Sequence, residues 1–269
     1  MDNRYIGVFD SGLGGLTAVR EIIRTLPNEN IVYFGDTGRV PYGSRGKDTI
    51  IKYAKQDVRF LESYDVKMIV IACGTVSTVA LPFLEESTAL PLIGVVDATA
   101  KAAIQATKTG KIGVIGTAGT INSGAYEKAL RVLDSSVTAV SKACPLFVPL
   151  VENGHTESEV SKLVAEEYLA EIREACVDTL ILGCTHYPHL KGIISKVMGS
   201  QVQLIDPGVE IAHNLQAVLQ EKDMLADYTA KEQYRFFVSD AADGFESLGS
   251  QFLQRNICGR VERIEIEKY

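Results

Sequence analysis

The chain has 269 residues, of which 46% are hydrophobic and 23% charged, and its formal net charge is −7. This length is sufficient for two domains, and the acidic balance, without a block of Lys or Arg, argues against nucleic acid and anionic membrane as partners. No stretch reaches the roughly 18 consecutive apolar residues that a membrane-spanning helix requires. The first residues, MDNRYIGVFDSG, lack a signal-peptide pattern, so we expect a cytoplasmic protein.

The first third of the chain alternates between short apolar runs and amphipathic patterns, which predicts a mainly parallel α/β sheet. The predicted strands and helices are strands 5–9, 31–35, 66–72 and 92–96, and helices 16–26, 47–64 and 76–84. In the Gly-rich turn DSGLGG, backbone N–H groups before a helix can hold a carboxylate. The turn also partly matches a dinucleotide-binding fingerprint, although Thr17 replaces its third glycine.

Two segments of the first half recur later in the same order. KIGVI-GTAGT repeats the pattern of YIGVF-DSGLGG, and TLILGCTHYP repeats that of MIVIACGTVS. A repeat at two points predicts two similar α/β halves related by internal pseudo-symmetry. The remaining predicted elements are helices 99–107, 125–133, 159–175 and 189–197, strands 111–115, 137–140 and 202–205, and a loop at 144–156.

The break at Asp206, Pro207 and Gly208 precedes elements without a counterpart in the second half. They are helices 209–220 and 242–253 and a strand at 234–239. We predict that they return to complete the first domain. The expected domains are therefore a discontinuous one, 1–97 with 207–269, and a continuous one, 98–206, with the active site in the cleft between them.

Two of the five cysteines, Cys73 and Cys184, each follow a buried strand and have a Thr nearby. A lone cysteine at a strand end is usually a small buried hydrophobe. Cysteines that only pack in the core, however, have no reason to occur twice in the same context. The ends of parallel strands are where α/β proteins place their chemistry. Inversion of a stereocentre needs one group on each face of the substrate, a thiolate that removes the α-proton and a thiol that returns one. The repeated thiols fit this task.

Several polar groups are candidates to assist the thiols. Asp10 can accept a substrate amine or cap a helix; with Glu152 and His186 it can also manage thiol protons. His186 has structural alternatives, as a satisfied loop histidine or, with His189, as half of a metal site, although no further ligand cluster supports a metal. The groups expected to bind substrate carboxylates or to wall the site are Ser11, Pro41, Tyr42, Gly43, Gly74, Thr75, Thr117 and Thr185.

The segments FDSGLGGLT, YFGDTGRVPYGSR, ACGTVST, GTAGTI, LVENG and LGCTHYPHL, spread over most of the chain, resemble the aspartate/glutamate racemase family. The resemblance implies a cofactor-independent, homodimeric enzyme that interconverts L- and D-glutamate for peptidoglycan synthesis. It implies that Cys73 acts on the D-glutamate face and Cys184 on the L-glutamate face, assisted by Asp10, Glu152 and His186. The family usually has Asn where this chain has Gly74, and an added amide there is expected to retain or improve glutamate binding.

Other functions stay open at this point. A smaller diacid such as aspartate is an alternative substrate. A one-thiol hydrolase or isomerase would use one cysteine, and a small-molecule binding protein would use neither.

Overall fold

The computed structural model describes residues 1–227 and 233–269, and its strands form two parallel sheets. The segment between the predicted helix 209–220 and the predicted strand 234–239 lies partly outside the described residues. The strands are β1 (Tyr5–Asp10), β2 (Ile31–Gly35), β3 (Val66–Ile71), β4 (Leu92–Gly94), β5 (Lys111–Gly116), β6 (Thr138–Ala143), β7 (Thr179–Gly183), β8 (Gln203–Ile205), β9 (Tyr234–Val238) and β10 (Val261–Arg263).

Helices pack between and around the sheets. They are α1 (Leu16–Thr25), α2 (Lys47–Glu62), α3 (Gly74–Val79), α4 (Leu81–Glu85), α5 (Val95–Ala106), α6 (Ala118–Asn122), α7 (Ala125–Leu133), α8 (Phe147–Glu152), α9 (Glu159–Glu174), α10 (Lys191–Met198), α11 (Pro207–Glu221) and α12 (Ala242–Leu253). Short 3-10 turns form at Thr37–Arg39, Tyr187–Leu190 and Ile266–Lys268. None of the described helices is long and apolar enough to cross a membrane.

The strand order confirms the predicted pseudo-symmetry. The first sheet runs β10-β9-β2-β1-β3-β4 and the second β6-β5-β7-β8. Four strands of the first sheet, β2-β1-β3-β4, therefore have the same order as the whole second sheet. In this correspondence β3 matches β7, so Cys73 and Cys184 follow equivalent strands. Both strands are fully buried, as expected for parallel strands covered on two faces.

The C-terminal part of the chain joins the first sheet. Strand β9 pairs in parallel with β2, and β10, which the sequence did not predict, pairs with β9. Residues from both ends of the chain thus share one sheet. The domain boundaries stay a prediction, and α5 runs across the one expected at residues 97 and 98.

Three predicted elements were wrong in detail. The strand expected at 92–96 ends at Gly94, because Val95 and Val96 already belong to α5 and are buried on it. The helix expected at 76–84 is divided at Ala80, where Pro82 in the first turn of the next helix has no N–H to continue the ladder. The loop expected at 144–156 contains α8, whose buried Phe147 and Val151 anchor it to the core.

Candidate active site

A cavity of about 420 Å³ opens between the carboxyl ends of the two sheets. Twelve of the thirteen predicted site residues line it, namely Ser11, Pro41, Tyr42, Gly43, Cys73, Gly74, Thr75, Thr117, Glu152, Cys184, Thr185 and His186. The thirteenth, Asp10, is buried and is not part of the lining. The sequence did not single out the apolar part of the wall, formed by Leu13, Val40, Ala118, Pro145, Val148 and Pro149. No polar pattern marked these residues, although a substrate pocket is usually walled by apolar side chains.

Cys73 lies between the end of β3 and the first turn of α3, where it is buried. Its Sγ is 3.6 Å from the hydroxyl oxygen of Ser11. Burial, reinforced by the charge of Asp10, raises the pKa of Cys73 to about 12. At neutral pH this side chain is therefore a thiol, which can donate a proton.

Asp10 is the last residue of β1 and does not cap α1, whose N-terminal flanking residue is Gly15. Its Oδ2 accepts a hydrogen bond of 3.0 Å from the Gly12 N–H. The other carboxylate oxygen is buried and has no hydrogen-bond partner among the described residues. Burial raises the pKa of Asp10, while the positive charge of His186 opposes the shift. A buried oxygen without a donor is costly, so a cationic group entering the site would be favoured here.

Cys184 has a different set of partners. Its Sγ lies 4.0 Å from Nδ1 of His186, and Nε2 of His186 lies 3.0 Å from Oε1 of Glu152. Burial alone would lower the pKa of His186, but the hydrogen bonds to Cys184 and Glu152 outweigh it and raise the pKa to about 10. An imidazolium beside Cys184 stabilises negative charge on the sulfur. Cys184, His186 and Glu152 thus form a chain suited to a thiolate base.

Glu152 reaches His186 because it is the last residue of α8, the helix that sequence patterning missed. His189, in contrast, does not join His186 in a common site. Its Nε2 lies 3.1 Å from the Thr17 hydroxyl, and its ring packs against Phe252. Among residues 1–227 and 233–269 no three His, Cys, Asp or Glu side chains are grouped as a metal site requires.

Hydroxyls and backbone groups connect the two halves across the cavity. The Thr75 and Thr117 hydroxyl oxygens are 2.9 Å apart, and the Gly119 N–H donates to the Gly43 carbonyl at 2.9 Å. Four predicted substrate groups, at Ser11, Gly43, Thr75 and Thr117, therefore lie around one opening. They offer the donors that a carboxylate needs.

The loop that carries Tyr42 is anchored by a buried acidic cluster. The Tyr42 hydroxyl contacts the carboxylates of Asp36 and Asp57, the latter at 3.2 Å. Arg39 pairs with both acids, at 2.6 Å to Asp36 and 3.1 Å to Asp57. Burial and the neighbouring Asp36 raise the pKa of Asp57 well above its usual value, although Arg39 opposes them. No sequence pattern marked Asp57, which occupies an ordinary helical position of α2.

Comparisons with known proteins find similarity along nearly the whole chain. Residues 9–215 match the family model described as Asp/Glu/Hydantoin racemase. A glutamate racemase of Geobacter metallireducens is 44% identical over 98% of this chain and 97% of its own length. Glutamate racemase isoform RacE1 of Bacillus anthracis superimposes with a TM-score of 0.94 at 41% identity, covering 98% of each chain. The Francisella tularensis glutamate racemase in complex with D-glutamate gives a TM-score of 0.93 at 40% identity, with both chains fully covered.

Proposed function

The chain belongs to the Asp/Glu/hydantoin racemase family, and we propose that it is a glutamate racemase, an isomerase that interconverts L- and D-glutamate. The observation that carries the proposal is the pair of buried cysteines, Cys73 and Cys184, at equivalent strand ends on one cavity. The full-length similarity to glutamate racemases, one of them solved with D-glutamate, supports glutamate as the substrate.

In the proposed reaction each thiol serves one face of the α-carbon. The Cys184 thiolate removes the α-proton of L-glutamate, and the Cys73 thiol gives its own proton to the opposite face. The product is D-glutamate, with Cys184 now a thiol and Cys73 a thiolate. The reverse reaction starts from that state, so no proton is gained or lost overall. The His186 imidazolium beside Cys184 and the raised pKa of Cys73 support the state that accepts L-glutamate.

The positions of the remaining groups support a proposed role for each. Ser11, Thr75 and Thr117, with backbone N–H groups near Gly43, Gly74 and Thr185, would bind the two substrate carboxylates. Asp10 would face the substrate ammonium with its unpaired oxygen, which compensates for the cost of burying that oxygen. Pro41 and Tyr42 would form the wall beside the side chain of glutamate.

We further propose, on the family resemblance, that the enzyme is a cytoplasmic homodimer that supplies D-glutamate to peptidoglycan. The two thiols provide both the base and the acid of the reaction, so we propose activity without an added cofactor. Activity that is lost on dialysis and restored by pyridoxal phosphate, a metal or a nucleotide would contradict that part of the proposal.

The test is racemisation of L- and D-glutamate, followed by optical activity, with L- and D-aspartate assayed in parallel. In D₂O, both enantiomers of the true substrate should exchange the hydrogen at Cα. Exchange of only one enantiomer would indicate a one-thiol enzyme, and absence of exchange would indicate a binding protein. Faster turnover of aspartate than glutamate would contradict the proposed substrate.

A further inference from the structure

Ser239, the residue after β9, connects the C-terminal part of the chain to the loop that walls the cavity. Its hydroxyl donates a hydrogen bond of 2.7 Å to Oδ1 of Asp36 and accepts one of 2.8 Å from the Gly38 N–H. The Ser239 N–H donates to the Gly35 carbonyl at 3.3 Å, which continues the pairing of β9 with β2. One serine therefore holds both a side chain and the backbone of the turn that leads to Tyr42.

Asp36 depends on this serine because its carboxylate is fully buried. Oδ2 contacts the guanidinium of Arg39, at 2.6 Å, and the hydroxyl of Tyr42, whereas Oδ1 accepts from Ser239. The backbone of Asp36 is already fixed, since its N–H donates to the Asp10 carbonyl at 3.1 Å. A buried carboxylate oxygen that loses its donor is costly. Without the Ser239 hydroxyl, we expect the carboxylate to turn toward other donors and to move Oδ2 away from Tyr42.

Tyr42 transmits this effect to the proposed substrate site. Tyr42, Pro41 and Gly43 line the cavity, whereas Ser239 is not part of the lining. The Gly43 carbonyl also accepts a hydrogen bond of 2.9 Å from the Gly119 N–H in the second half. A shift of Tyr42 should therefore displace a wall of the cavity together with a contact that crosses it.

We propose that Ser239 is a positioning residue for substrate binding, which acts through Asp36 on the cavity wall at Tyr42. The inference rests on the proposed racemase function. Because Ser239 acts on the wall and not on the thiols, its loss should raise KM for glutamate and leave kcat nearly unchanged. A loss of folded enzyme has a different signature, namely a lower apparent kcat at constant KM.

The experiment measures KM and kcat for both glutamate enantiomers in Ser239→Ala, Ser239→Thr and the matched control Ser136→Ala. Ser136 also donates to an aspartate, Asp134, at 2.6 Å, but at an exposed position. We expect KM to rise about three- to tenfold in Ser239→Ala, which corresponds to the net contribution of one hydrogen bond. Ser239→Thr keeps the hydroxyl and should bind glutamate nearly as the wild type does, and Ser136→Ala should leave KM unchanged.

A comparison with Tyr42→Phe tests the route from Ser239 to the cavity. The fold-changes in KM of two independent sites multiply. If Ser239 acts on the Tyr42 hydroxyl, removing that hydroxyl first leaves Ser239→Ala with little more to change. We therefore expect the double variant to have a KM close to that of Tyr42→Phe alone. Multiplied fold-changes would overturn the inference.

An unchanged KM in Ser239→Ala, or a fall in kcat alone, would also overturn it. Should Ser239→Ala not fold, Ser239→Cys replaces the hydroxyl with a thiol on a side chain of similar size. Failure of both variants to fold would assign Ser239 a purely structural role. A wild-type chain that does not racemise glutamate would contradict the proposed function, whereas a racemising wild type with an unchanged Ser239→Ala variant would contradict the inference alone.

Discussion

Nε2 of His186 lies 3.0 Å from Oε1 of Glu152, while the other ring nitrogen of His186 faces the Cys184 sulfur at 4.0 Å. The sulfur of Cys73, at the equivalent strand end, lies instead 3.6 Å from the Ser11 hydroxyl oxygen. The fold is pseudo-symmetric, but the proton-handling groups are not. Substitutions near Cys184 should therefore have different effects from substitutions near Cys73.

Replacing His186 with Asn should slow proton removal by Cys184 more than proton removal by Cys73. The two enantiomers have equal free energy in water, so kcat/KM for racemisation must fall equally in both directions. Elimination from 3-chloroglutamate separates the sides, and we expect the L-analogue to lose about 10²-fold or more and the D-analogue less. His155→Asn, at an exposed position, is the control. Equal losses with both analogues would contradict the assignment of His186 to Cys184.

The raised pKa of His186 predicts how stability depends on pH. Its folded-state pKa of about 10 lies above the usual value of 6.5, so between these values the folded state binds a proton that the unfolded state lacks. This contribution is fully present below about pH 6.5 and is lost as the pH rises through about 10. We expect the urea midpoint of the wild type to fall over this range more steeply than that of His186→Gln. Parallel profiles would show that the imidazolium is not stabilised in the folded enzyme.

The position of the two cysteines was predictable, whereas much of their surroundings was not. Each thiol follows an apolar run of strand length, and parallel strands deliver their ends to one edge, so local pattern and topology suffice. Glu152 was predicted in a loop but ends the short helix α8, which depends on burial of Phe147 rather than on a long amphipathic pattern. The contact of Asp57 with Tyr42 depends on tertiary packing, which the hydrophobic periodicity of the sequence does not reveal.

Asp36 and Asp57, the two acids of the buried cluster around Tyr42, should contribute unequally to the free energy of unfolding. Burial and the neighbouring Asp36 raise the pKa of Asp57, so a proton at Asp57 leaves one negative charge opposite Arg39. Asp57→Asn replaces the protonated acid with a neutral amide and should cost little, whereas Asp36→Asn removes the remaining charge and should destabilise by about 1–3 kcal/mol. Urea unfolding of both variants at pH 7 measures the difference. A larger loss for Asp57→Asn would show that Asp57 carries the charge.

The same cluster should control substrate binding through the loop that contains Tyr42. Tyr42→Phe keeps the ring that lines the cavity but removes the hydroxyl that contacts Asp36 and Asp57. We expect KM for glutamate to rise severalfold with a smaller change in kcat, because the thiols are untouched. Tyr53→Phe is the matched control, because the Tyr53 ring packs against the Tyr42 ring with centroids 5.5 Å apart. A fall in kcat at constant KM would place the effect on the chemical step instead.

Replacement of each thiol with Ser gives the most direct test of the two-base reaction. Cys73→Ser and Cys184→Ser should each abolish glutamate racemisation, because inversion needs a group on both faces and a serine hydroxyl is far too weak an acid to replace a thiol. Each variant should still eliminate chloride from one enantiomer of 3-chloroglutamate, since elimination needs one base. Cys73→Ser keeps the Cys184 base and should favour the L-analogue, whereas Cys184→Ser should favour the D-analogue.

Cys258→Ser, at an exposed position, controls for loss of a thiol elsewhere. Elimination rates for both analogues, measured after circular dichroism has shown that each variant is folded, give the result. If both variants prefer the same enantiomer, or if either racemises glutamate at near the wild-type rate, the thiols do not act as bases on opposite faces.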